Sequence, residues 1–136
     1  GDIFGCRVAG NIVNEDILGS IEFSCKVAGS KLLLVLGHAR CGAVMGACDK
    51  VELGNLTPML AKIGPAIQST TEPSDPEKRN SKDAEFVDAV ARNNVLQSIA
   101  MIRDKSAILA ELEAEGEILI QAAYYQVATG EVEFID

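Results

Sequence analysis

The chain has 136 residues, 48% of them hydrophobic and 24% charged, a length and balance suited to one domain with a sizeable core. Its formal net charge of −8 argues against nucleic acid or an anionic membrane surface as partner, because both demand basic patches. No apolar run approaches the roughly 20 residues of a membrane span.

The chain opens GDIFGCRVAGN, without methionine, and residues 2–6 already read as a short strand. That opening suggests a start partway through a domain. VAGNIVNED follows as a glycine-bearing loop. Ile17, Ile21, Cys25 and Ala28 form one apolar stripe, which predicts a helix over 17–28 ended by Gly29. The unbroken LLLVL from Leu32 to Leu36, bounded by Gly29 and Gly37, predicts a strand buried on both faces. CGAVMGACDKV then resumes helical character.

Residues 56–67 read as helical, with Gly64-Pro65 expected to bend or break the helix. The polar, proline-bearing STTEPSDPEKRNSKD is the least ordered stretch by composition. Over 83–104, Val87, Val90, Ala91, Val95, Ile99 and Ile102 predict a long helix with one apolar side. Leu96 and Met101 fall off that stripe and suggest contact with a second element or another subunit. Ser106 is a candidate N-cap for a helix over 106–115, with Gly116 at its end. Residues 117–125 predict a strand, and VATGEVEFID a turn around Gly130 and a last strand. The order of elements implies a single α/β domain over 1–136, with a mostly parallel central sheet flanked by helices.

The four cysteines, Cys6, Cys25, Cys41 and Cys48, are an even number. A chain this long and apolar does not need a disulfide framework, so they read as reduced thiols of a cytoplasmic protein. No secretory leader pattern is visible.

The chemistry concentrates in KLLLVLGHARCGAV. His38, the one histidine of the chain, and Cys41 lie three residues apart where the apolar strand gives way to a helix. Functional groups of open α/β sheets collect at the carboxyl ends of strands. Helix N-termini favour thiolate, and thiolate and neutral imidazole are both good zinc ligands. An H-x-x-C spacing lets both converge on one ion, while Gly42 and Ala43 leave room for it. The bland reading stands beside this one: a cysteine at the end of a buried strand is commonly a small core residue, and a lone histidine a hydrogen-bonded structural group. Neither a dinucleotide fingerprint, a P-loop nor a serine nucleophile elbow is present.

The blocks resemble, in order, those of the beta-class carbonic anhydrases. GDIFGCRVAGNIV resembles that family's strand and loop ending in R-N-A-G-N, and GSIEFSCKVAGSKLLLVLGHARCGAV its helix, central strand and G-H-x-x-C-G-A zinc loop. ILAELEAEGEILIQAAYYQVATGEVEFID resembles its C-terminal helix, strand and closing hairpin. The resemblance implies zinc-dependent reversible hydration of carbon dioxide to bicarbonate, with His38 and Cys41 as two protein ligands of Zn2+. It also implies a homodimer or higher homo-oligomer.

The chain departs from the family in two places. The family's first zinc cysteine lies in an upstream C-x-D-x-R segment with a catalytic Asp-Arg pair, and no such segment occurs here. In the loop, Arg7, Gly10 and Asn11 match, but Val8 stands where the family has asparagine. Two side chains cannot close a tetrahedral zinc site. Three readings follow. The chain is a piece of an active enzyme with little activity alone; or it is a non-catalytic relative serving binding or assembly; or another thiol, Cys6, completes the site. A symmetric partner supplying ligands is a variant of these. Arg7 matches a family arginine near the active site, or else pairs with a carboxylate. Of Tyr124 and Tyr125, one lines the pocket or both pack in the core. Cys25 and Cys48 read as structural.

Overall fold

The computed structural model describes residues 1–135. Helix α1 (Glu15–Glu22) begins where the Asn14 side chain accepts a hydrogen bond from the Ile17 N–H at 2.9 Å, with Glu15 and Asp16 favouring the same end. It runs on through the wider turns of Phe23–Val27, closed by an Ala28 N–H to Phe23 O bond of 3.0 Å, and Gly29 ends it. The predicted helix was therefore right in place but starts two residues earlier, because Asn14 rather than the apolar stripe decides the first turn.

Strand β1 (Leu32–His38) leads into α2 (Gly42–Cys48). The expected break at Gly64-Pro65 separates α3 (Leu56–Ala61) from α4 (Gly64–Ser69), and Pro65 sits in the first turn of α4, where no N–H is needed. The long helix α5 (Ala84–Lys105) is capped by Asp83, whose carboxylate accepts from the Phe86 N–H at 2.9 Å. Helix α6 (Ala107–Ala114) follows directly, with Ser106 as its N-cap as expected. The Ser106 hydroxyl also donates to Glu22 at 2.6 Å, which ties α6 to α1.

The sheet has the order β1, β2 (Leu119–Tyr125), β3 (Val132–Ile135). β1 and β2 run parallel, from Leu32 beside Leu119 to His38 beside Tyr125, and β3 returns antiparallel to β2. The α/β class holds. The strand expected over residues 2–6 does not form: the segment has no regular structure, and Ile3 and Phe4 are exposed. A strand is stabilised by its neighbour, and no described strand lies beside this one.

A second expectation fails more instructively. Leu33, Val35 and Gly37 share a face with Ile120, Ala122 and Tyr124, and α5 packs on it. The opposite face, bearing Leu32, Leu34, Leu36, Leu119, Val132 and Phe134, is open. Leu32, Leu34 and Leu36 keep 53%, 38% and 42% of their surface exposed, while Leu33 and Val35 are half-buried and Gly37 buried, so β1 is covered on one face and not on both. Full burial of a leucine is worth about 1.5–3 kcal/mol. Several kcal/mol of burial energy is therefore left unrealised on this face.

The covered side holds two adjoining clusters. One gathers Cys41, Val44, Leu60, Ile63, Phe86, Val90 and Tyr124 around the start of α2. The other gathers Cys25, Val95, Ile99, Leu109 and Ile120 between α1, α5, α6 and the sheet. Among the described residues, no helix is long and apolar enough to cross a membrane. The 69–83 stretch, expected to be the least ordered, begins with the last residue of α4, and the rest is held down by Arg79. Its Nη1 donates to Thr70 O at 2.8 Å and Pro73 O at 3.1 Å, its Nη2 donates to Ile67 O at 2.9 Å, and its guanidinium stacks over Phe86.

Candidate functional site at the end of strand β1

The ladder continues one residue past β1, where Ala39 N–H donates to Tyr125 O at 2.9 Å. Arg40 then turns the chain with φ at +57°, a left-handed conformation that costs an L residue on the order of 1 kcal/mol. This strained residue lies between the two candidate metal ligands. Cys41 is next and is buried, in the position just before the first residue of α2.

His38 is exposed, and its Nδ1 lies 2.9 Å from the carbonyl oxygen of Ala39. A carbonyl only accepts, so Nδ1 carries the proton in the neutral ring and Nε2 keeps its lone pair. That is the tautomer a metal-binding imidazole needs, with the second nitrogen oriented by a backbone carbonyl.

Gly37 fixes where these groups sit. A Cβ there would lie 2.5 Å from Val95 Cγ2 and 3.6 Å from Ala91 O, so the end of β1 rests directly on α5. Tyr124 is fully buried beneath the loop, in the same cluster as Cys41 and Ala39. Its hydroxyl donates to Asp88 at 2.7 Å, and the Arg92 guanidinium lies 4.3 Å from its ring centre and pairs with Glu133 at 2.6 Å. Burial, then the Asp88 carboxylate, hold the Tyr124 hydroxyl well above the usual phenol range, so it stays a neutral donor. Tyr124 is thus a core residue, and Tyr125 is half-buried.

The loop Ala9–Asn11 comes up against the start of α2. A Cβ on Gly10 would meet Ile63 Cδ1 at 2.9 Å and Ala43 Cβ at 3.2 Å. Helix α5 anchors the loop: Asn94 Nδ2 donates to Gly10 O at 2.7 Å and to Asn11 Oδ1 at 3.3 Å, and Ser98 Oγ donates to Asn11 O at 3.0 Å. The side-chain nitrogen of Asn11, Nδ2, is buried without an acceptor among the described residues. Asn94 and Ser98 were missed in the sequence, although the signal was there: two polar residues four apart inside the apolar stripe of a long helix.

Arg7 is exposed and makes no hydrogen bond or ion pair among the described residues. Cys6 is half-buried against the cluster of Cys25 and Val95, whereas Cys41 belongs to the other cluster. Cys25 and Cys48 are buried, as expected. Burial raises both thiols above the ordinary range, Cys48 to about 11. Among the described residues, no group of three or more His, Cys, Asp and Glu is arranged to hold a metal ion. The donors that do fit zinc in kind are the His38 Nε2 and the Cys41 sulfur, and they fall short of a tetrahedral set in number.

Comparisons with known proteins bear on the same residues. A family model described as carbonic anhydrase matches residues 1–132. Carbonic anhydrase 2 of Mycobacterium tuberculosis is 30% identical over 134 residues, covering 96% of this chain and 61% of the relative. A carbonic anhydrase of Mycolicibacterium smegmatis is 30% identical, covering 98% and 63%. Among solved structures, a tetrameric beta-carbonic anhydrase of Sordaria macrospora superposes with a TM-score of 0.83 at 20% identity, over 97% of this chain and 67% of that one. A beta-carbonic anhydrase of Aspergillus fumigatus gives a TM-score of 0.81 at 23% identity, over 96% and 62%. The chain spans about three fifths of the length of the curated relatives it matches.

Proposed function

The chain belongs to the carbonic anhydrase family and carries the fold of its beta class, and from that premise we propose that it serves the reversible hydration of carbon dioxide to bicarbonate with a zinc ion held in part by His38 and Cys41. The observation that carries this reading is the His38 Nδ1 contact to Ala39 O, which leaves Nε2 free as a ligand three residues before a buried thiol. When bound, zinc supplies the Lewis acidity that makes water nucleophilic near neutral pH.

The chain's own residues do the positioning. The Ala39 carbonyl holds the imidazole tautomer, and Arg40, with φ at +57°, turns the chain between the two donors. The Gly37–Val95 contact and the Tyr124–Asp88 pair hold the loop against α5 and the core. Two donors are too few, so the remaining coordination positions come from outside His38 and Cys41. Cys6 lies in the other cluster, which makes it the weaker candidate for a third.

Assembly is part of the same proposal. Relatives of this fold from Sordaria macrospora are tetrameric, and the open face of the sheet offers apolar area for a second copy, so the protein forms a homodimer or larger homo-oligomer. The four cysteines are free, which supports a reducing, cytoplasmic setting.

The test is zinc content per chain together with carbon dioxide hydration, for the purified protein and for Cys41→Ser and His38→Ala. Zinc near one per chain, lost in both variants along with chelator-sensitive hydration, supports the reading. A zinc content and hydration rate unchanged by both substitutions would overturn it. One observation favours a second reading, a non-catalytic binding or assembly domain: no described group of three ligands forms. Its mark is the absence of both zinc and hydration in a folded protein.

A further inference from the structure

A groove of about 550 Å3 lies away from the His38 loop, between α2, α3, α4 and the segment carrying Pro76 and Arg79. Its volume falls in the range of small-ligand sites, about 300–1,000 Å3. The floor is apolar, formed by Cys48, Leu60 and Ile67 with Val51 at the side. The charged groups on its wall are Lys50, Arg79 and Glu52, a net positive lining on a chain whose formal charge is −8.

Arg79 is the unusual member. Three backbone carbonyls and the Phe86 ring hold its guanidinium in one orientation. A guanidinium has five donors. Both Nη1 hydrogens and one Nη2 hydrogen are used, and among the described residues the Nε–H and the second Nη2–H have no partner. Those nitrogens form the edge from which arginine grips a carboxylate with two bonds. Among the described residues no carboxylate lies within ion-pair distance of Arg79 or Lys50. A fixed cation without a counter-ion, at the end of an apolar trough, is a preorganised half of an ion pair.

We propose that this groove binds a small amphipathic monocarboxylate, with the carboxylate on Arg79 and Lys50 and the alkyl body against Leu60, Ile67 and Val51. Glu52 disfavours a second negative charge, so one carboxylate is accepted in preference to two. The loop of residues 70–82 is already built for this. Asp49 accepts from the Ser81 N–H at 2.8 Å, and Asn93 donates to Thr70 Oγ1 at 2.8 Å, so the wall carrying Arg79 is fixed to both α2 and α5.

The test is a titration with octanoate, followed by amide chemical shifts. The expected result is saturable binding whose shifts cluster at residues 47–52, 57–68 and 76–79. Octanol and acetate, each lacking one half of the ligand, bind at least fivefold more weakly. Lys50 has φ at +55°, so Lys50→Asn removes the charge while keeping a residue tolerant of that backbone. It weakens octanoate at least fivefold without changing the melting temperature. Arg79→Lys, which keeps the charge and loses the fork, gives a second readout. Three outcomes overturn the proposal: no shifts, shifts confined to the open sheet face at Leu32–Leu36 and Phe134, or octanoate binding unchanged in Lys50→Asn.

Discussion

Gly37 and Val95 touch so closely that a single methyl group on Gly37 would lie 2.5 Å from Val95 Cγ2. His38 follows directly, so the loop that carries it and Cys41 starts from this close approach of the end of β1 to the middle of α5. Gly37→Ala forces one of the two to move and is expected to cost about 1–3 kcal/mol in urea unfolding. Combined with Val95→Ala it should cost less than the sum of the two single changes, by about 1 kcal/mol or more. Strict additivity would show that the contact is not limiting.

Asn94 holds Gly10 O and Asn11 from inside a helix. Asn94→Ala leaves a buried carbonyl unpaired, and about 1–3 kcal/mol of destabilisation is expected. Hydrogen exchange should localise the loss, with faster exchange at residues 10–13 than in β2. A uniform increase across the domain would mean that Asn94 serves the core and not the loop.

Arg103 and Glu113 join the end of α5 to α6 through two bonds, Nε to Oε2 at 2.8 Å and Nη2 to Oε1 at 2.7 Å. The Arg103 hydrogen bond holds the Glu113 carboxyl below the usual carboxylate value of 4.5. A lowered folded pKa means that the pair stabilises above pH 4.5 and that this contribution fades as pH falls through the lowered value. Both side chains are partly exposed, so Glu113→Gln should cost about 0.5 kcal/mol at pH 7. The difference from the unsubstituted protein should shrink steadily below pH 4.5, as read from denaturant midpoints.

The open sheet face is expected to be a meeting surface between copies. Leu34→Lys with Phe134→Lys places charge on that face without disturbing the covered one. Sedimentation should show a lower assembly state, and an unchanged assembly would place the interface elsewhere. The unfolding free energy of the dissociated chain should change little, since both residues are exposed there.

Removal of metal offers an independent check on the His38 loop. If His38 and Cys41 contribute ligands, chelation should lower the melting temperature of the zinc-loaded protein. Cys41→Ser should lower it similarly and make it insensitive to chelator. An equal chelator effect in Cys41→Ser would place the zinc elsewhere.

Local order in this chain was legible because it depends on neighbours in sequence. Ser106 caps its helix through a side chain three residues from the N–H it satisfies, and Pro65 and Gly29 act on their own backbone; Asn14 and Asp83 cap in the same local way, although the apolar stripe alone put the start of α1 two residues late. The closeness of His38 and Cys41 in the chain is a fact of the same kind. So is the succession of elements that marks the fold class.

What the tertiary structure alone decided is which surfaces are met. The run Leu32–Leu36 is apolar at every position, so its pattern cannot say whether one face or two are covered; only the packing of α5 on one side answers that. The segment 2–6 has strand-like residues, but among the described residues no strand lies beside it to pair with. Arg79 lies in a stretch that composition marks as loose, yet carbonyls at 67, 70 and 73 make it a staple. Asn94 and Ser98 interrupt an apolar stripe for no reason visible along the helix; the reason lies in a loop more than 80 residues earlier. Sequence patterns record the preferences of a residue and its near neighbours, whereas burial and hydrogen-bond partnership are set by atoms brought together across the whole chain.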